Sequence, residues 1–152
     1  MAAKSLTLIC HWFLTDIIPQ LESSASYKII HGKEISRAML RTALAIDADI
    51  YPPEFRADEA TCIAWYEHNP DIYTAIIEAR TERLVGYINA MPVTEECFAN
   101  LERDSSNDAH IGVDNIRTYD FGDFYKMHVT SFVIDPFYHA SDAFRTIQSS
   151  AF

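Results

Sequence analysis

The chain has 152 residues, 49% of them hydrophobic, and a formal net charge of −10 from 22 Asp and Glu against 12 Lys and Arg. That length and apolar content fit one globular domain with a real core, whereas two domains would each be undersized. So few cations on so acidic a chain exclude nucleic acid and anionic membrane as expected partners and leave an amine-bearing small molecule or peptide as the compatible one.

The three cysteines, Cys10, Cys62 and Cys97, are widely separated and odd in number. No metal-ligand spacing joins them, so neither a disulfide framework nor a metal site is expected, and a reducing cytoplasm is the default location. The apolar run Leu6 to Leu14 contains His11 and is followed by Asp16, which makes it too short and too polar for a membrane span. Lys4 ahead of that run faintly resembles a signal peptide, but His11, Asp16 and Pro19 interrupt the pattern.

In chain order, Leu6, Ile9, Cys10, Phe13, Leu14, Ile17 and Leu21 recur at helical spacing, which predicts an amphipathic docking helix and a short polar linker over residues 1–26. Residues 27–152 form the main domain. Tyr27 to His31 reads as a strand closed by Gly32. A helix is expected from Lys33 or Glu34, with Ile35, Met39, Ala43 and Ile46 on its apolar face and Arg37 and Arg41 on its solvated one. The prolines of Tyr51-Pro52-Pro53 break the chain before a second helix, which opens on Asp58 and Glu59 and buries Cys62, Ile63 and Tyr66.

Two strands follow, Tyr73 to Ala79 and Leu84 to Met91, joined tightly enough to be an antiparallel hairpin. Gly86 inside the second implies a bulge or a close backbone approach, and Pro92 is expected to stop it. Thr94 is the expected N-cap of a short helix beginning with Glu95 and Glu96 and ending near Leu101. Residues 103–110 read as polar loop, 111–119 carry no clear pattern, and Asp120, Gly122 and Asp123 read as a turn rather than a metal loop.

Tyr125 to Ile134 then alternates Met127, Val129, Ser131 and Val133 with His128, Thr130, Phe132 and Ile134, which predicts a strand buried on both faces in the middle of a sheet. Asp135-Pro136 ends it, and Ser141 or Asp142 would cap a helix carrying Ala143, Phe144 and Ile147. A strand, a sharp turn and a helix N-terminus in succession make a frequent site for anions and nucleotides. The elements sum to a mixed α/β fold with a largely antiparallel central sheet flanked by helices.

Leu84-Val85-Gly86-Tyr87-Ile88-Asn89-Ala90-Met91-Pro92, followed by Ser131-Phe132-Val133-Ile134-Asp135-Pro136-Phe137-Tyr138, resembles the GNAT superfamily of acyl-CoA-dependent N-acyltransferases over Tyr27 to Phe152. The resemblance implies transfer of an acetyl or related acyl group from acetyl-CoA or another acyl-CoA to an amine. It implies cofactor contacts from Phe132, Val133 and Ile134, whose backbone would hold the pantetheine arm, and from His139, Ala140, Ser141, Asp142 and Ala143 around the phosphates. Glu95, Glu96 and His128 are the candidate acid-base residues. The family's phosphate loop reads Arg or Gln, two residues, Gly, one residue, then Gly or Ala; His139, Asp142 and Phe144 stand at those places here. The family's elements beyond the last helix have no counterpart before Phe152, so the resemblance covers a fold truncated after that helix. These departures keep a second expectation open, a non-catalytic GNAT-fold module that self-assembles through an open sheet edge or its N-terminal helix.

Overall fold

A computed structural model describes residues 26–103, 111–120, 124–138, 143 and 145–147. The docking helix and linker expected over residues 1–26 lie outside these except for Ser26, as do the polar loop after Arg103, Gly122, Asp123, and the stretch from His139 to Asp142.

Four strands, β1 (Tyr27–His31), β2 (Tyr73–Glu78), β3 (Leu84–Val93) and β4 (Lys126–Ile134), form one antiparallel sheet in the order β1-β2-β3-β4. Helices α1 (Arg37–Ile50) and α2 (Glu59–His68) intervene between β1 and β2, and α3 (Glu95–Arg103) follows β3. Ala143 and residues 145–147 are helical again. The mixed α/β architecture and the β2–β3 hairpin match the sequence expectation.

Helix starts are set by side-chain acceptors. Ser36 takes the Met39 N–H, Asp58 the Thr61 N–H and Thr94 the Cys97 N–H, each satisfying a donor the first turn leaves open. The first helix therefore begins at Arg37 rather than Lys33 or Glu34, because Gly32–Glu34 is a separate 3-10 turn. Leu40, Ala43 and Ile46 bury its apolar face, while Arg37 and Arg41 reach across solvent to Glu67 and Glu59 of α2. On α2 the deepest side chain is Trp65, 2% exposed, whose indole N–H donates to the Ile111 carbonyl at 2.8 Å; Ile63 and Tyr66 are only half-buried. The indole fills volume that neither shorter neighbour could, and its polar end finds a carbonyl.

The sheet separates two apolar clusters. On the helix-covered face Ile30, Tyr73, Ala75, Tyr87, Met91 and Val133 pack with Leu40, Ile46 and Trp65. On the other, Ile76, Val85, Ile88 and Ile134 pack with Tyr138, Ala143 and Ile147.

Three expectations about the strands are corrected. First, β4 is the edge of this sheet, not its centre, and Met127, Val129 and Phe132 are 40%, 51% and 38% exposed. Only its C-terminal end is buried on both faces, Val133 toward the helices and Ile134 toward the opposite cluster; the exposed apolar residues before it reflect β-propensity. Second, strict alternation fails. Asn89 pairs with Ser131 but Ala90 pairs with Val129, so Thr130 is an extra residue, a bulge. Residues paired across strands share a face, and past the bulge the parity inverts. Met127, Val129, Phe132 and Ile134 therefore lie on one face, His128, Ser131 and Val133 on the other. Third, Pro92 does not stop β3, which continues to Val93 with Pro92 opposite Met127. The Pro92 carbonyl accepts from Arg117 N–H on the edge away from β4, so the missing N–H is also on that edge and costs no β3–β4 bond.

Residues 111–120 run along this second edge of β3 beyond the reach of β2, bridging Val93 to Ile116. Trp65, His68 Nε2 and Asn69 Nδ2 hold them through the carbonyls of Ile111, Ile116 and Arg117.

Gly86 meets the expectation of close approach. A Cβ there would lie 2.4 Å from the Val133 carbonyl oxygen, and the β2–β3 register shifts at Ile76/Ile77 beside it.

Candidate functional site

The C-terminal turn of α1, the segment Tyr51–Asp58 and the helix-covered face of β3 and β4 enclose a cavity. Its outer part, about 340 Å³, is lined by Leu44, Asp47, Pro53, Arg56 and Ala57 with Asp58 and Glu59 at the rim. Its inner part, about 20 Å³, reaches Tyr73, Tyr87, Asn89, Thr130 and Ser131.

Asp47 lies between them. It is seven residues after Leu40 and four after Ala43, on the buried stripe of α1, and is 7% exposed. Tyr87 Oη donates to its Oδ2, and Ser131 Oγ donates to the same oxygen at 3.4 Å. Its other oxygen, Oδ1, is buried with no hydrogen-bond partner among the described residues. Burial pushes the Asp47 carboxyl above the ordinary carboxylate value, against the Tyr87 and Ser131 hydrogen bonds and the Arg56 charge, which pull it down. Burial also raises the Tyr87, Tyr73 and Tyr51 hydroxyls, and the Asp47 charge adds to each. All three phenols therefore stay protonated at neutral pH.

Asn89, 3% exposed, places its amide in hydrogen-bonding reach of the Tyr73 hydroxyl while its Oδ1 finds no partner among the described residues. Arg56 Nε, on the segment before α2, is likewise buried and unpartnered there. Tyr51, just past α1, hydrogen-bonds with the Phe132 backbone and so ties the cavity wall to β4.

Chemically, this is a buried carboxylate at the inner end of a pocket, held in place through one oxygen and without a partner among the described residues at the other. It can hold an ammonium or take a proton from a protonated amine.

The sequence-nominated residues are distributed differently. Glu95 and Glu96 stand exposed in the first turn of α3, and His128 projects to the Met91 side of β4; none of them lines the cavity. Among the nominated cofactor positions, Val133 is buried toward the helices, Ile134 and Ala143 toward the opposite cluster, and Phe132 is partly exposed. His139, Ala140, Ser141 and Asp142 are outside the described residues. At the turn, Asp135 caps the Phe137 N–H and pairs with Arg83, whose guanidinium also faces the Phe137 and Tyr138 rings.

Sequence reasoning passed over Asp47, Asn89 and Arg56. The signals were there for two of them: an acid on the apolar stripe of a helix, and an amide inside the run Leu84 to Met91.

No group of three or more His, Cys, Asp or Glu among the described residues could hold a metal ion, and no helix among them is long and apolar enough to cross a membrane. Comparison of the chain with protein-family models, with curated proteins and with solved structures finds no match.

Proposed function

We propose that the chain is a GNAT-like N-acyltransferase that moves an acetyl or related acyl group from coenzyme A to an amine. The observation that carries this reading is the junction of cavity and edge strand: Ser131 of β4 bonds to the half-open Asp47 carboxylate, and Phe132–Ile134, the segment that would hold the acyl-CoA arm, follows directly.

An amine entering from the α1–α2 face would meet Asp47 before reaching the strand. Its nitrogen would attack the thioester carbon, the C–S bond would break, and the sulfur would leave as thiolate. The surplus proton of the nitrogen would pass to the carboxylate and from there to solvent or the departing thiolate. The exposed Glu95 and Glu96 would have no part in this step.

Titration calorimetry with acetyl-CoA, and with coenzyme A beside it, tests the reading. Binding accompanied by a rise in Tm supports it, and no heat and no shift at about millimolar ligand overturn it.

A second reading, a GNAT-fold module that assembles instead of catalysing, is favoured by the exposed apolar face of β4, where Met127, Val129 and Phe132 lie together. Light scattering tests it: a wild-type dimer that Val129→Lys turns into a monomer supports it, and a wild-type monomer at high concentration removes it.

A further inference from the structure

Four buried side-chain polar atoms among the described residues have no hydrogen-bond partner: Tyr27 Oη, Asp47 Oδ1, Arg56 Nε and Asn89 Oδ1. Tyr27 packs with the cluster on the far face of the sheet. The other three belong to residues lining the inner pocket under β4. Buried polar atoms without partners are rare, and each costs free energy unless something meets it, so three around one pocket describe the ligand that would.

Two of the three are acceptors, a carboxylate oxygen and an amide oxygen, and the third is a guanidinium N–H donor. The complement is a molecule with a multiple N–H donor at one end and an acceptor, best an anion, within reach of it. The inner space of about 20 Å³ has room for one group the size of water, and an ammonium is that size. Asp47 and Asn89 are 7% and 3% exposed, so the acceptor pair is built into the core and not a chance cluster on the surface. Asp47 and Arg56 line both the inner space and the outer, 340 Å³ chamber, whereas Asn89 lines the inner space alone, which sets the ammonium end inward and leaves the anionic end to Arg56. Leu44, Pro53 and Ala57 give that chamber an apolar wall beside the acidic Asp58 and Glu59 at its rim, so the part of the ligand that packs on the wall is uncharged and adds no second anion there.

We propose that this pocket binds a free amino acid, or a close analogue, with its ammonium on Asp47 and Asn89, its carboxylate on Arg56, and an uncharged side chain in the outer chamber. The proposal deepens the acyltransferase reading, on which it rests for the fate of the ligand, by naming the class of amine. Binding itself does not need the cofactor.

The test is therefore run without acyl-CoA. Each neutral L-amino acid is added singly at about tenfold its dissociation constant, or at about 10 mM where that is unknown, and Tm is followed; a ligand that fits raises it by about 3–6 °C. For each one that does, calorimetry compares the amino acid with the amine lacking its carboxylate. The expected result is selective binding of the amino acid, weakened at least about thirtyfold by Asp47→Asn and about tenfold by Arg56→Gln. Circular dichroism confirms that each variant is folded, and the comparison of amino acid with amine needs no variant at all. No shift with any neutral amino acid, or equal binding of the amine, overturns the proposal. Failure of acetyl-CoA to bind would instead remove the acyltransferase reading and leave a zwitterion site in place.

Discussion

Gly86→Ala probes the contact that fixes the edge strand over the cavity. The added Cβ would lie 2.4 Å from the Val133 carbonyl oxygen, 2.5 Å from Ile134 Cδ1 and 3.0 Å from Ile134 Cα. The methyl group can turn away, but the carbonyl and Cα are backbone, so β4 itself must retreat by about 1 Å to restore an ordinary contact. Retreat stretches the Gly86–Ile134 and Tyr87–Val133 pairings and the 2.8 Å bond from Asp135 N–H to the Val85 carbonyl. Overpacking of this kind costs about 1–3 kcal/mol, and backbone movement belongs at the upper end. Replacing glycine stiffens the unfolded chain and returns about 0.4–1 kcal/mol. The net loss is about 2 kcal/mol, equivalent to about 4–8 °C in Tm for a chain of this size. Urea unfolding is the measurement, with the slope compared between proteins so that a change in midpoint reports stability. A variant with an equal or higher midpoint and the same slope would refute the close approach of β3 and β4.

Other perturbations bear on the same architecture. Burial raises the Asp47 carboxyl, so the folded state holds that proton more tightly than the unfolded one; its stabilising contribution is complete below the ordinary value of 3.8 and is lost as pH rises through the folded value. Asp47→Asn should therefore gain stability relative to wild type at neutral pH, the gap closing toward pH 3.8 in paired urea titrations, and a gap that widens on acidification would sink the assignment. Trp65→Phe removes the donor to the Ile111 carbonyl and leaves a void in the core, and should cost about 2–3 kcal/mol by denaturant midpoint; a loss under about 0.5 kcal/mol would contradict that packing. Arg37→Ala, whose pair with Glu67 is 60% and 50% exposed, should cost less than about 0.5 kcal/mol in the same assay. Burial pushes the Cys62 thiol up to about 12, so a thiol reagent at mildly alkaline pH should leave Cys62 unlabelled in the native protein by peptide mass mapping.

Signals that act locally were readable from the sequence. Thr94 caps the helix it precedes, the β2–β3 hairpin closes where the turn residues lie, and Gly86 sits where two backbones crowd; Asp58, expected within the first turn of its helix, stands one place earlier as the cap. What escaped depends on neighbours distant in sequence. Alternation along β4 carries no mark of Thr130, because a bulge is defined by the partner strand and Asn89 and Ala90 lie some forty residues earlier. Pro92 looks like a strand end until the edge its carbonyl faces is known, and that edge is occupied by the patternless segment around Arg117. Trp65 could be core or surface by composition; the Ile111 carbonyl decides it. Asp47 was readable in principle, since a carboxylate in register with Leu40 and Ala43 either faces the core or breaks the stripe, but its partners Tyr87 and Ser131 come from two other elements.

The bulge links the two halves of the functional reading. In a regular strand consecutive residues point to opposite faces, so only one of Thr130 and Ser131 could face the cavity. With one residue inserted, both line it, and Ser131 reaches the Asp47 carboxylate while Val133 still packs against the helices. The same insertion puts Met127 and Val129 on the face with Phe132 and Ile134, where a regular strand would have turned them toward the helices. One extra residue thus brings a second hydroxyl to the pocket and gathers the exposed apolar side chains on the opposite face of the edge strand. Binding in the cavity and any chain laid along β4 would then act on the same short segment, Thr130 to Phe132. A ligand on Asp47 that pulls Ser131 inward must also move the backbone of Phe132, which Tyr51 holds from the cavity side.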